Sequence, residues 1–321
     1  MSKSAILSSS IAKKYWMALT GLFLCLFLVG HLLGNLQLIL IQGEEGKRAF
    51  NEYAYFMTHN PLIKILSYVT YLSILFHAID GILLAIQNKK ARPVNYQYSN
   101  PSANSKLPAR QMAVLGSAIL IFIVIHMANF WWKMKYSSKQ MPLHTYVVYP
   151  PNSQTGNPAG DTIYYTKNGI QLPVSPQIEV RDGNKLYISE EWFSNELAAQ
   201  KKAAEMQGQQ IDDKMFENRD KNIELAEGYK DLHSLVYAFF GHDKTKEGFE
   251  TFSMPGLAVI LYVLAMLVLS FHLMHGFASA FQSLGLNHRK YTPLIKKFGL
   301  VFSILVPLGF AIIPIVIYLT K

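Results

Sequence analysis

Four histidines stand inside four separate apolar stretches of this chain: His31, His77, His126 and His272. An imidazole in hydrocarbon is costly, so each should face other helices and hold something there. The neutral ring is a common axial ligand of haem iron, and two facing rings can close both axial positions. Iron closed in this way exchanges electrons and offers no site to a substrate. His77 and His272 each have a glycine one turn on, in His77-Ala-Ile-Asp-Gly81 and His272-Leu-Met-His-Gly276. Positions i and i+4 share a helix face, so the missing side chain leaves room for a flat macrocycle. His31 likewise has Gly30 beside it and Gly34 nearby. His275 competes with His272, but only His272 repeats the His-x3-Gly pattern of His77. His144, His233, His242 and His288 read as ordinary polar residues of loops and surfaces.

The elements that carry these residues are five apolar segments: about Tyr15 to Ile41, Leu62 to Gln87, Gln111 to Trp132, Pro255 to Leu284 and Leu294 to Leu319. Each is long enough to cross a bilayer as a helix. The polar start, Met1 to Lys14, precedes a run too long for a signal-peptide core, so the first segment reads as a retained anchor. The amino-terminal tail, the 88–110 loop and the 285–297 loop share one side, carrying lysines and arginines and no acidic residue. The positive-inside rule places that side in the cytoplasm and the carboxyl terminus outside. His31 lies sixteen residues after Tyr15, and His126 fifteen after Gln111, on helices running outward. His77 lies fifteen residues after Leu62, and His272 seventeen after Pro255, on helices running inward. At 1.5 Å of rise per residue, these positions predict two layers. His31 and His126 form the outer layer, and His77 and His272 the inner one. Asp80 and His275 each lie three residues past an inner histidine and are expected to hydrogen-bond or share a proton, the alternative being that Asp80 pairs with Lys89 or Lys90.

Half of the residues are hydrophobic and 16% are charged, yet the mean hydropathy is only +0.15. The cause is the segment 133–253, which holds all the acidic residues except Glu44, Glu45, Glu52 and Asp80. The sequence therefore divides into 1–132 with three spans, an outer polar insert at 133–253, and 254–321 with two spans. The insert predicts two β-hairpins, turning at Asn168-Gly169 and Asp182-Gly183. After them come a solvated helix or helix pair from about Ser194 to Tyr229, and an amphipathic helix around Leu232 to Phe240 lying on the outer membrane surface. Cys25 is the only cysteine, which excludes a disulfide framework and a cysteine-bound cluster. The net charge of +9 reflects short juxtamembrane pieces, so it points to topology and a docking surface and argues against nucleic-acid binding.

The order His31, His77-Ala-Ile-Asp-Gly81, His126, then His272 with Gly276, on the first four of five spans, resembles the dihaem cytochrome b subunit of succinate:quinone oxidoreductases. The type is that with one large anchor polypeptide. Gly34-Asn35-Leu36 and Ser279 to Gly285 look like its Bacteroidetes-type branch. The resemblance covers the five spans and leaves out the insert. It implies an all-α membrane protein of five helices around two stacked b haems, with the large polar α/β insert between helices 3 and 4. His77 and His272 would hold the inner haem, with Arg110 as propionate partner and Asp80, Gly81, His275 and Gly276 around it. His31 and His126 would hold the outer haem. A flavoprotein with FAD and an iron–sulfur protein would dock on the cytoplasmic face of a bacterial inner membrane, and the complex could assemble further. The chain would pass electrons to or from membrane quinone, menaquinone in this branch. Quinone-site candidates are Asn35, Gln37, Glu52, Tyr53 and His59, with Glu52 as proton carrier. The alternatives are an anchor of another membrane dehydrogenase, such as formate dehydrogenase or hydrogenase, and a haem-free proton-coupled transporter.

Overall fold

The computed structural model describes residues 10–91, 93–94, 107–136, 141–149, 160–207, 224–241, 249 and 251–320. Lys3, Arg92, Lys106 and His242 lie outside them. Five helices are long and apolar enough to cross a membrane, Ile11–Leu40, Pro61–Ala91, Met112–Tyr136, Pro255–Ser283 and Thr292–Leu319, at the places the sequence predicts. In chain order the helices are α1 (Ser10–Leu40), α2 (Gly43–His59), α3 (Pro61–Ala91), α4 (Leu107–Arg110), α5 (Met112–Met127) and α6 (Lys133–Tyr136). After them come α7 (Glu190–Met206), α8 (Leu232–Phe240), α9 (Pro255–Ser283) and α10 (Thr292–Leu319). The third span differs from expectation. Between α5 and α6 it winds as a π-turn at Ala128–Trp132, beginning two residues after His126.

Local chemistry sets the helix limits. Gly43, at φ +68°, makes the tight turn from α1 into α2. Asn60 ends α2, and its Oδ1 accepts from the backbone N–H groups of Leu62 and Ile63 at 3.0 and 3.3 Å. With Pro61 as the first residue of α3, one short stretch both stops one helix and starts the next.

The polar segment forms two three-stranded antiparallel sheets, β1-β2-β3 (Thr145–Val148, Asp161–Tyr164, Leu172–Pro173) and β4-β5-β6 (Ile178–Arg181, Lys185–Ile188, Glu224–Glu227). Both expected hairpins are present. Asp182 and Gly183, at φ +51° and +84°, supply the two left-handed residues that a tight hairpin turn needs. The expected helical stretch at 194–229 is corrected in part. α7 covers 190–206, but 224–227 is strand, because Ala226 packs with Leu143 and Leu186 in the sheet core.

The second correction concerns α8. Seven of its residues, from His233 to Phe240, are buried, so it does not lie on a surface. Val236, Phe239 and Phe240 pack with Leu38 of α1, Phe50 of α2, Ala258 and Val259 of α9, and Ile313 and Ile317 of α10. This core gathers the ends of helices from both halves of the chain at the side where the sheets lie. The Tyr237 hydroxyl donates to the Leu38 carbonyl at 2.7 Å, satisfying one of the open carbonyls at the end of α1.

Asp231 anchors this junction. Its carboxylate caps α8 by accepting from Ser234 N–H at 3.0 Å, accepts from Asn51 Nδ2 at 3.0 Å, and pairs with Lys47 at 3.0 Å. Burial alone would raise its pKa, but Lys47, Ser234 and Asn51 together outweigh it and hold the carboxyl below its usual range. A depressed carboxylate contributes stability above its unfolded pKa, and that contribution is lost as pH falls through the folded pKa. Asp231→Ala leaves Lys47 unpaired and is expected to cost about 3–5 kcal/mol. Thermal unfolding in detergent should show a lower Tm for the variant at neutral pH, with the gap closing on acidification.

Candidate metal centre

The four histidines meet in two pairs. His31 on α1 and His126 on α5 have ring centroids 5.9 Å apart with planes at 86°; His77 on α3 and His272 on α9 are 6.2 Å apart at 68°. The pairs share no helix, and they lie at different levels. A Cβ on Gly21 would stand 3.2 Å from the His77 ring, and one on Gly116 would stand 3.7 Å from the His272 ring. Gly21 and Gly116 precede His31 and His126 by ten residues each, about 15 Å along a helix. This is the two-layer arrangement that depth along the spans predicts. Gly21 and Gly116, which let the imidazoles of the lower pair, His77 and His272, lie close against a neighbouring helix below the upper pair, His31 and His126, were legible only as glycines inside spans.

Polar side chains orient three of the rings through Nδ1. Thr20 Oγ1 lies 3.3 Å from His77 Nδ1, Asn35 Nδ2 3.4 Å from His31 Nδ1, and the Tyr262 hydroxyl 3.4 Å from His126 Nδ1. Asn35 also donates to the His31 carbonyl at 2.7 Å. His272 Nδ1 is buried and has no partner among the described residues. The Thr20 and Tyr262 hydroxyls can accept from Nδ1–H, which fixes the tautomer that leaves the opposite ring nitrogen free for a metal, whereas Asn35 Nδ2 meets His31 as a donor. Thr20 and Tyr262 have no motif in the sequence; they are found only by their contact.

Both pairs border one cavity of about 1710 Å³ that runs from Arg110, His275 and Ser283 at one end to Tyr55, His59 and Lys230 at the other. Its walls are mostly apolar, with Leu24, Leu28, Leu120 and Leu269 among them. Small-molecule sites commonly measure about 300–1,000 Å³, so this space suits more than one large group. α5 lines it and has no buried residue of its own. Gly276 faces open space, with nothing within 4 Å of where a Cβ would stand, while Gly81 has only the Met17 methyl at 3.7 Å. The expected room beside His77 and His272 is therefore present. The space at Gly34 is taken by the Tyr53 ring.

This donor set fits haem. A metal held by two imidazole nitrogens at about 2 Å each sets their ring centroids roughly 6 Å apart, as both pairs are. Among the described residues no group of three or more His, Cys, Asp or Glu is placed to hold a metal ion. A bare ion would lack donors, whereas a haem brings its own in-plane nitrogens and asks only for axial ones.

Other candidate residues separate. Arg110, His275, Asn35, Tyr53 and His59 line the cavity; Asp80, Gln37 and Glu52 do not. Among the described residues no hydrogen bond or ion pair joins Asp80 to His275 or to Lys89 or Lys90. Glu52 turns to Arg48, at 3.2 Å, and to the Tyr165 hydroxyl. His144 and His233 are buried at the sheet junction, against the expectation of surface residues, and His144 pairs with Glu44. Comparison with protein-family models, with curated proteins and with solved structures returned no match. Fold and site together define a chain with five helices able to span a membrane and two facing histidine pairs along one shared cavity.

Proposed function

We propose that this chain is the dihaem cytochrome b anchor of a succinate:quinone oxidoreductase, passing electrons between an iron–sulfur partner and membrane quinone. The observation that carries the reading is the pair of facing imidazole couples, at iron-spanning separation and on two levels of one apolar cavity. When bound, each b haem supplies one-electron exchange at an iron with no open position. The protein's part is to hold and insulate. His77 and His272 would take one iron, His31 and His126 the other. Thr20, Asn35 and Tyr262 keep three of the rings in register, and the leucine walls exclude water.

Arg110 lines the cavity, and its guanidinium would pair with the propionates of the haem held by His77 and His272. The Arg110 end carries Lys89, Lys90, Arg289, Lys290, Lys296 and Lys297, none of them ion-paired among the described residues. Free cations of this kind support the cytoplasmic side as the docking surface for the FAD and iron–sulfur subunits. Asn35, Tyr53 and His59 remain the quinone candidates that reach the cavity, with menaquinone the expected substrate.

Pyridine haemochrome analysis of the purified chain should give two b haems per polypeptide, with reduced-minus-oxidised spectra of low-spin type. The chain alone should neither oxidise succinate nor reduce fumarate. Absence of haem would overturn the reading in favour of a proton-relay transporter.

A further inference from the structure

The cations of the sheet region fall into two groups. Lys47, Arg48, Lys167, Arg181 and Lys185 are each paired with a carboxylate. Lys64, Lys135 and Lys230, which line the cavity at its upper mouth, have no carboxylate partner among the described residues. Among the described residues Asp182 is the only carboxylate on the lining, and it pairs with none of them.

The three come from separate elements at the same end of the cavity, Lys64 and Lys135 exposed and Lys230 partly buried. Lys135 lies on α6, and its Nζ sits 5.5 Å over the Trp131 ring, one turn back toward His126. Lys64 is in the first turn of α3, which runs the opposite way, so its side chain leans toward the sheets. Their heads therefore approach a common level. Below that level the Trp131 Nε1 donates to the Tyr71 hydroxyl at 2.8 Å, tying the two helices together. Lys230 closes the mouth from the polar segment. Its Nζ donates to the Met134 carbonyl at 3.0 Å and lies beneath the hairpin turn, 3.2 Å from where a Cβ on Gly183 would be. Partial burial without an anion lowers its pKa through desolvation.

We propose that Lys64, Lys135 and Lys230 form a cationic clasp for the propionate carboxylates of the haem held by His31 and His126. The inference rests on the haem reading above. It gives the polar segment a direct part in the redox centre, since Lys230 and the turn that covers it belong to that segment. A phospholipid phosphate shares the anionic chemistry, but Lys230 is half-buried under the hairpin, on the same lining as His31 and His126.

The test is a spectroscopic redox titration of the purified chain, comparing wild type with Lys64→Met/Lys135→Met/Lys230→Met and with the arginine triple variant. Removing cations beside a haem disfavours the reduced form. The component that is lost in His126→Ala should therefore titrate at lower potential in the methionine variant, with the other component unmoved and arginine restoring the wild-type value. Lys230→Met alone should shift it in the same direction by less, which keeps the test open if the triple variant does not fold. Two retained haems with unchanged potentials would overturn the clasp. So would unchanged potentials together with loss of co-purifying phospholipid phosphorus, which would make the mouth a lipid site. A wild-type chain without haem would sink the function reading, and the clasp with it.

Discussion

His126→Ala is expected to halve the haem content, leaving one b haem whose spectrum matches that of His31→Ala and differs from that of His77→Ala or His272→Ala. The grounds are geometric. The upper pair belongs to α1 and α5 and the lower pair to α3 and α9, about 15 Å apart along the helices, so losing one ring leaves the other couple intact. His126→Met separates ligation from packing. Methionine also binds haem iron and raises its potential, so the second haem should return with a changed spectrum and a more positive midpoint. A ring that served only to pack against Phe122, Phe130 and Tyr262 would give the same two haems in every variant. That outcome would leave His31 and His126 as structural residues. Loss of both haems together would mean that the layers are not independent.

The histidines were legible in the sequence because hydrocarbon makes a polar residue conspicuous, and because rise per residue converts position into depth. The spans followed from length and hydropathy for the same reason. The polar segment gave up its hairpins through turn residues, yet its buried face stayed hidden. Asp231, His144 and His233 look like solvated residues in a polar stretch. They are buried because Lys47, Glu44 and Asn51, on a helix some hundred residues or more away, meet them there. No local pattern encodes such a meeting. The choice among Glu52, Tyr53 and His59 was illegible for a related reason. Neighbouring positions on α2 face different ways, and its rotation is set by Phe50 and Ala54 packing into the junction, one of them against α8. That rotation turns Tyr53 and His59 to the cavity and Glu52 to Tyr165.

Protein made under haem limitation should be markedly less stable, and the third span should loosen first. Close-packed interiors tolerate little empty volume, and this span lines a cavity of about 1710 Å³. α5 buries none of its own residues, so its inner face depends on whatever fills the space. A ligand present at a thousand times its Kd adds about 4 kcal/mol to the folded state, and two sites on different helices would act on both halves of the bundle. Hydrogen exchange in detergent should therefore show faster exchange across Met112–Tyr136 in haem-poor than in haem-replete protein. Thr292–Leu319 packs against α1 and α9 through Phe302, Ile313 and Ile317, and should change least. The π-turn at Ala128–Trp132 is the place for the difference to be largest, because its backbone hydrogen bonds are already off the α pattern. Equal exchange in the two preparations would mean that the helices close on one another without the cofactor. The cavity would then have no role in holding the third span in place.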